Sequence, residues 1–164
     1  MLLRRSFFAI FLSLSLIAIV GTAVQCRAQF SEPGGSALSI PESDRLQPAA
    51  LAKLLNGYDA EKPLVLQVGS RLMFEQAHIP GSAYAGAGSQ AAGLQMLESK
   101  VASAKKNKLI VIYCGCCPWT RCPNVAPAYK RLRELGYTNV KALYIANNFG
   151  DDWVGKGFPA AQGE

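Results

Sequence analysis

Four cysteines stand close together in one stretch of the chain, at Cys114, Cys116, Cys117 and Cys122. A thiolate is a strong nucleophile and a good ligand for soft metal ions, so such a group indicates nucleophilic, redox or metal chemistry. Structural disulfides usually join distant segments, because long closed loops gain the most stability. Pairs formed among these four residues would close only very short loops. The stretch is therefore predicted to be a reactive site.

The elements on either side of the stretch place its first cysteine. An apolar run at 109–113 comes directly before Cys114 and predicts a buried parallel strand. Residues 125–135 have the apolar spacing of a helix, with Asn124 as its expected N-cap. Backbone N–H groups and the dipole at a helix N-terminus stabilise negative charge. Cys114 is therefore predicted to be the low-pKa nucleophile.

The remaining pattern alternates strands with helices. It predicts further strands at 64–68, 83–84 and 140–145, and helices at 49–55, 71–76, 90–105 and 151–156, the last capped by Asp151 or Asp152. This alternation predicts one α/β domain, with a central, mostly parallel sheet and helices on both faces. Ligands of such sheets bind beyond the carboxyl ends of the strands, which is where Cys114 lies.

The first residues have the layout of a secretory signal peptide. Arg4 and Arg5 precede an apolar segment, small residues follow, and cleavage is predicted after Ala28, which gives a signal peptide at 1–28. Residues 29–39 are rich in Ser, Pro and Gly and predict a flexible linker, which leaves the domain at 40–160. A periplasmic or secreted protein, free of the membrane after cleavage, is expected. An uncleaved membrane anchor is the alternative, because the apolar segment is about as short as a span can be.

Charge and composition exclude some classes of function. The chain has a formal net charge of +6, but it lacks a basic stripe interleaved with aromatic residues, so no nucleic-acid partner is expected. No organic cofactor is expected either. His78 is the single histidine and is expected to be structural, in the turn before Pro80. The sequence does not indicate an oligomeric state.

Several segments, taken in order, resemble the single-domain rhodaneses. They are the segment 74–83 with His-Ile-Pro-Gly, the strand-cysteine junction 110–114, the helix end 135–137, and Trp153 followed by 157–159. The resemblance implies the rhodanese α/β fold and transfer of sulfane sulfur. In that family the cysteine that ends the central strand takes sulfur from a donor, becomes a persulfide, and passes the sulfur to a nucleophile. By position, that cysteine is Cys114.

The resemblance also implies partners, namely a small sulfur donor, thiosulfate or a persulfide, and a thiol acceptor. Arg121 is a candidate for holding an anionic donor, with a surface arginine as the alternative. Gly115 would contribute loop backbone beside the persulfide. Trp119 would either line the mouth of the site or pack on the core as a lid.

The chain departs from the family pattern near the site. Gln67 and Gly69 occupy positions where relatives commonly have an acidic residue and an arginine, so an electrostatic support is missing. The loop is ten residues long from Cys114 to Pro123, where the family usually has about six. The Gly-Gly pair common before the last helix is replaced by 147–148. The detailed loop geometry is thus expected to differ from that of relatives.

The extra thiols allow alternative chemistry. Cys116, Cys117 or Cys122 are possible resolving thiols that would attack a persulfide on Cys114, release sulfide and leave a disulfide. The Cys114-x-x-Cys117 spacing also matches thioredoxin-like redox proteins. A third alternative is a thiolate site for Zn²⁺ or Cu(I). The favoured prediction is a sulfurtransferase without a metal.

Overall fold

The computed structural model describes residues 39–57 and 61–163. These residues belong to one compact unit that spans Glu32–Glu164. The predicted signal peptide at 1–28, and all of the predicted linker except its last residue, lie outside the described residues. Within them, no helix is both long enough and apolar enough to span a bilayer.

A five-stranded sheet forms the centre of the domain, and its strand order is β1-β5-β4-β2-β3. The strands are Arg45–Leu46 (β1), Leu64–Gln67 (β2), Ala83–Tyr84 (β3), Ile110–Tyr113 (β4) and Val140–Leu143 (β5). Every pairing is parallel, which confirms the predicted sheet. The sequence did not predict β1, because two residues are too few to show an alternating pattern.

In the described part of the chain, five α-helices cover the sheet. They are Pro48–Asn56 (α1), Arg71–Gln76 (α2), Ala91–Val101 (α3), Val125–Glu134 (α4) and Phe149–Asp152 (α5). The last helix begins earlier than predicted, and its cap is Asn148, whose side-chain oxygen accepts a 2.9 Å hydrogen bond from the Asp151 backbone N–H. The prediction of Asp151 or Asp152 as the cap was therefore wrong. Asparagine is an equally good cap, and here it stands directly before the helix.

The core consists of two clusters on opposite faces of the sheet. Along β4 the side chains alternate, so Ile112 packs with Leu132 of α4 in one cluster, while Tyr113 packs with Leu51 of α1 and Trp153 in the other. A side chain of this kind contributes about 1.5–3 kcal/mol when fully buried. Both faces of the sheet are thus covered by helices, as predicted.

The central position of β4 decides where the reactive loop lies. β4 is paired with β2 on one side and β5 on the other, so the loop emerges between their two carboxyl ends. The carbonyl oxygen of Gly115 accepts a 2.9 Å hydrogen bond from the Phe149 N–H, which ties the loop to α5. His78 is buried, stacks on Phe74 with ring centroids 4.0 Å apart, and pairs through its backbone with Ala161. This is the structural position expected for it.

Candidate active site

Cys114 follows β4 directly and is almost completely buried, with 3% of its surface exposed. It belongs to the core cluster on the α4 face of the sheet, together with Cys122, and Cys117 packs against this cluster. All four loop cysteines are free thiols, and Cys116 is the exposed one. The fold therefore buries the predicted nucleophile, and the exposed Cys116 and the half-buried Cys117 lie nearer to solvent.

Three of the sulfur atoms form a compact group. The Sγ atom of Cys114 lies 3.0 Å from that of Cys116 and 3.9 Å from that of Cys117, and the latter two are 3.4 Å apart. The spacing of the cysteines predicted that they share one loop, but not which sulfur atoms are in contact. The arrangement brings one buried and one exposed thiol to a distance at which sulfur can pass between them with little movement of the chain.

The neighbouring thiols change the acidity of Cys114. Hydrogen bonds from Cys116 and Cys117 lower the pKa of the Cys114 thiol, against opposing effects of Cys122 and of burial. The same hydrogen bonds raise the pKa of Cys116 and of Cys117, because each thiol can donate to Cys114 only while it keeps its proton, and burial and the charge on Cys114 add to this effect. Cys116 and Cys117 are thus the hydrogen-bond donors of the group, and the negative charge lies on the more deeply buried cysteines.

Cys122 shares this charge. Its pKa is lowered to about 6, first by a hydrogen bond with Cys114 and then, against the cost of burial, by the backbone N–H groups of Asn124 and Val125 at the start of α4. Because Cys114 and Cys122 interact, the low pKa belongs to the pair. The first proton leaves the pair at a pH below the usual pKa range of thiols. The resulting negative charge lies between the end of β4 and the start of α4.

Asn124 links the nucleophile to α4. Its side-chain N–H donates to the Cys114 Sγ atom across 3.4 Å, and its side-chain oxygen accepts hydrogen bonds from the Ser89 backbone at 3.1 Å and hydroxyl at 2.8 Å. The sequence indicated only an N-cap here. The structure shows no side-chain cap at this position, and Asn124 is instead a positioning residue of the site.

Gln67 supports the other side of Cys114. It is 2% exposed at the end of β2, and its amide N–H groups donate to the carbonyl oxygens of Cys114 at 3.1 Å and Ser70 at 3.3 Å. Its side-chain oxygen accepts a 3.1 Å hydrogen bond from the Gly69 N–H. Gln67 therefore makes a neutral support whose nitrogen and oxygen are both hydrogen-bonded. A neutral amide avoids placing a carboxylate next to the thiolate.

Two glycines beside Cys114 leave little room for a side chain. A Cβ atom on Gly69 would lie 2.9 Å from the Cys114 Sγ atom, closer than such atoms come in proteins. Gly115 has a φ of +78°, and a Cβ there would lie 3.0 Å from the Phe149 side chain. Both positions therefore require glycine, Gly69 for space and Gly115 for space and backbone conformation.

A cavity of about 220 Å³ reaches the site between α2 and α5. Cys114, Gly115, Tyr113 and Gln67 line its inner part, and the remaining lining residues come from α2 and from the segment around α5: Met73, Gln76, Ala77, Asn148, Phe149, Gly150 and Val154. This volume is smaller than that of most pockets for drug-sized molecules. The cavity therefore suits a small substrate.

The remaining predicted site residues lie elsewhere. Arg121 is exposed on a short 3₁₀ helix, Trp119–Arg121. Trp119 is 3% exposed and packs against Tyr144 with ring centroids 5.1 Å apart. The Arg45 guanidinium lies 5.7 Å from the centroid of the Trp119 ring. Its indole N–H has no hydrogen-bond partner within the described part of the chain. Neither Arg121 nor Trp119 lines the cavity at Cys114.

In addition to the cysteine that ends the central strand of the sheet, the amino-acid sequence matches a known family. The family model of the rhodanese-like domain matches residues 48–144, more than half of the chain. The chain belongs to the rhodanese-like domain family. Membership supports a function of the sulfurtransferase type, with sulfur donors and thiol acceptors as in rhodanese-like domains generally.

Solved structures agree on the fold. The rhodanese-like domain of the Alr3790 protein from Anabaena sp. is 19% identical, covers 73% of this chain and 79% of its own, and has a TM-score of 0.54. The BH2092 protein from Bacillus halodurans is 21% identical over 73% of this chain and 77% of its own, with a TM-score of 0.55. No curated protein matches the chain.

A third neighbour is an enzyme whose structure holds a cysteine persulfide. It is EanB, solved in a tetrahedral intermediate state with ergothioneine, and it is 21% identical with a TM-score of 0.56. The match covers 72% of this chain and 28% of that one. The similarity therefore concerns one domain of a longer enzyme, and it shows the fold.

Proposed function

We propose that this rhodanese-like protein is a sulfurtransferase that carries sulfane sulfur as a persulfide on Cys114. The observation that supports the proposal best is the position of this thiol at the end of β4, with its pKa lowered by its neighbours. A thiolate is the form that attacks sulfur. The solved structure of EanB, which is similar to this chain over 28% of its own length, holds a cysteine persulfide, and this supports the proposal.

The reaction proceeds in two balanced steps. The Cys114 thiolate attacks the outer sulfur of a donor, thiosulfate or a hydropersulfide, and the bond from that sulfur to the rest of the donor breaks, so sulfite or a thiolate leaves with the electron pair. An acceptor thiolate then attacks the outer sulfur of the persulfide, and Cys114 leaves as the thiolate. The amide of Asn124 would donate to the anionic sulfur in each stage.

Among the three candidate resolving thiols, the geometry favours Cys116. It is the exposed cysteine, and its sulfur lies 3.0 Å from Cys114. The Cys116 sulfur attacks the Cys114 Sγ atom of the persulfide anion, and the Cys116 proton passes to the outer sulfur, which leaves as hydrosulfide. A Cys114–Cys116 disulfide remains, which an external dithiol would reduce. Cys117 is half-buried and 3.9 Å away, and Cys122 is buried at the start of α4, so both are less accessible.

We further propose that the protein works in the periplasm or outside the cell. The support is the signal-peptide pattern of residues 1–28, which lie outside the described residues. In such a compartment exposed thiols oxidise readily, so a Cys114–Cys116 pair would cycle between dithiol and disulfide. The roles predicted for Arg121, Gly115 and Trp119 in substrate binding stay predictions.

A soft metal site is the second candidate function. The thiol sulfurs of Cys114, Cys116 and Cys117 all lie within 4.8 Å of one another, a grouping that thiolate ligands of Zn²⁺ or Cu(I) require. These three residues come from four consecutive positions, whereas closed zinc sites usually draw ligand pairs from separate segments. Sulfur transfer is therefore the favoured function.

The decisive comparison uses single cysteine variants under reducing conditions. Sulfur transfer from thiosulfate or an organic hydropersulfide to a thiol is measured for the parent protein, Cys114→Ser and Cys116→Ser. We expect Cys114→Ser to lose transfer completely, while Cys116→Ser keeps transfer to added thiol and loses the release of sulfide without added thiol. Full transfer in Cys114→Ser would refute the proposed function, and a stoichiometric bound metal with no transfer would favour the second candidate.

A further inference from the structure

The cavity that reaches Cys114 is apolar at its outer end. Met73 of α2 and Val154 after α5 are both large hydrophobic residues with much of their surface exposed, 38% and 44% respectively, and both line the cavity. Phe149 and Ala77 add to the same lining. A solvent-facing apolar rim at the entrance of a reactive site favours an apolar part of a ligand.

Three of the four polar side chains of the lining are bonded to the protein itself, and the fourth, Gln76, is uncharged and exposed. Gln67 is bonded to backbone groups on both its nitrogen and oxygen. The Tyr113 hydroxyl accepts from the Ile79 N–H at 3.2 Å and lies 3.1 Å from the Ser82 hydroxyl. Asn148 caps α5 and donates to the Asp151 carboxylate at 2.6 Å. These three groups are therefore not available to a charged substrate without breaking a bond of the fold.

No lysine or arginine is among the residues that line this cavity in the described part of the chain. The charged residues directly next in sequence to lining residues are acidic, Glu75 and Asp151. The exposed Lys156, two positions after Val154, does not line the cavity. Arg71 at the start of α2 is engaged by Glu75 at 2.9 Å and lies over the Tyr84 ring. A dianion in the cavity would lose its hydration without gaining an opposite charge, which is costly.

We infer that the site takes its sulfur from, or gives it to, an organic sulfur compound with an uncharged apolar carbon group next to the reacting sulfur. Such an alkyl hydropersulfide or thiol is favoured over thiosulfate and over thiols that carry an anionic group. This inference rests on the proposed function, because it names the substrate class of the same Cys114 site. The carbon group occupies the space between Met73, Phe149 and Val154, and the sulfur meets Cys114.

The test compares two acceptors of similar size, 1-propanethiol and 2-mercaptoethanesulfonate. The protein is first loaded with sulfur from propyl hydropersulfide and freed of excess donor, and the loss of that sulfur from the protein is followed by mass spectrometry after rapid quenching. The rate of transfer to propanethiol is divided by the rate of transfer to mercaptoethanesulfonate, and this ratio is divided by the ratio measured for a small persulfide in solution. The second division corrects for the different intrinsic reactivities of the two thiols. We expect the protein to prefer propanethiol by about tenfold.

Lysine variants distinguish an effect of the cavity lining on the preference from an effect of the protein's overall charge. Met73→Lys places a cation on the lining, and we expect it to reduce the preference for propanethiol about fivefold. Leu72→Lys is the matched control, since Leu72 is the preceding residue of α2, is 63% exposed and does not line the cavity. We expect its ratio to equal that of the parent. Val154→Lys gives a second test of the cavity from another element.

The outcomes distinguish this inference from the proposed function. If no sulfur loads onto Cys114 from any donor, the proposed function fails and the inference falls with it. If sulfur loads and transfers but the parent shows no preference, the inference alone is wrong. It is also wrong if Leu72→Lys changes the preference as much as Met73→Lys and Val154→Lys do, because the effect would then come from overall charge.

Discussion

Replacing Asn124 by aspartate should raise the pKa of Cys114 and slow its reactions. The carboxylate has nearly the same shape as the amide, so it keeps the two hydrogen bonds that the side-chain oxygen accepts from Ser89. It cannot donate to the Cys114 Sγ atom, which the amide nitrogen does at 3.4 Å. It also brings a negative charge to the place where the thiolate forms.

The size of the effect follows from the lost hydrogen bond. A hydrogen bond to a charged group contributes about 1.5–3 kcal/mol, and one pKa unit corresponds to about 1.4 kcal/mol. Loss of the Asn124 donor should therefore raise the Cys114 pKa by about one to two units. The added carboxylate acts in the same direction, because a like charge disfavours the anion. One unit is accordingly the lower bound of the expected rise.

The assay is alkylation by iodoacetamide under reducing conditions, followed cysteine by cysteine with peptide mass spectrometry. The rate at Cys114 against pH gives its apparent pKa in the parent and in Asn124→Asp. Asn107→Asp is the control, since it adds the same charge at an exposed position before the amino end of β4, away from the thiols. An unchanged pKa in Asn124→Asp, or an equal rise in Asn107→Asp, would refute the role assigned to Asn124.

Three further changes test other parts of the site. Gly69→Ala should destabilise the fold by about 1–3 kcal/mol in denaturant unfolding, because its Cβ would lie 2.9 Å from the Cys114 Sγ atom; unchanged stability would contradict the close approach. Gly115→Ala should cost more than Gly81→Ala, because both have a φ of +78° but only the former meets a side chain of α5; equal costs would show that strain alone matters. Cys122 has a folded pKa lowered to about 6, so its ionisation stabilises the fold at high pH, and this contribution is lost as pH falls from about 9 to about 6. Because the low pKa belongs to the Cys114–Cys122 pair, the double variant Cys114→Ser/Cys122→Ser should flatten the rise in unfolding free energy over that window under reducing conditions. An identical slope in parent and double variant would contradict the assignment.

The elements with a strong local signal were predictable from the sequence. The uninterrupted apolar run of β4 predicts a strand buried on both faces, and the apolar spacing of α4 predicts its inward face. Because these two elements flank the loop, the position of Cys114 at a strand end followed from the sequence as well. β1 was missed, since Arg45–Leu46 becomes a strand only by pairing with β5.

The supports of the thiol were not predictable, because they depend on contacts between separated segments. Gln67 reaches the Cys114 carbonyl across 47 positions of sequence, and Ser89 reaches Asn124 across 35. In the sequence, Gln67 marked only the absence of a charged residue, and Asn124 only a helix start. The cavity was equally hidden, since Met73 and Val154 come together only when α2 and α5 pack beside β4.

The central claim is that Cys114 itself carries the transferred sulfur, and peptide-resolved mass spectrometry tests it most directly. The reduced protein is incubated with a sulfur donor, the excess is removed, and the thiols are blocked before digestion. The account predicts a gain of about 32 Da that localises to Cys114, disappears on reduction, and is absent from Cys114→Ser. Sulfur found only on Cys116, Cys117 or Cys122, with Cys114→Ser loading as well as the parent, would contradict it.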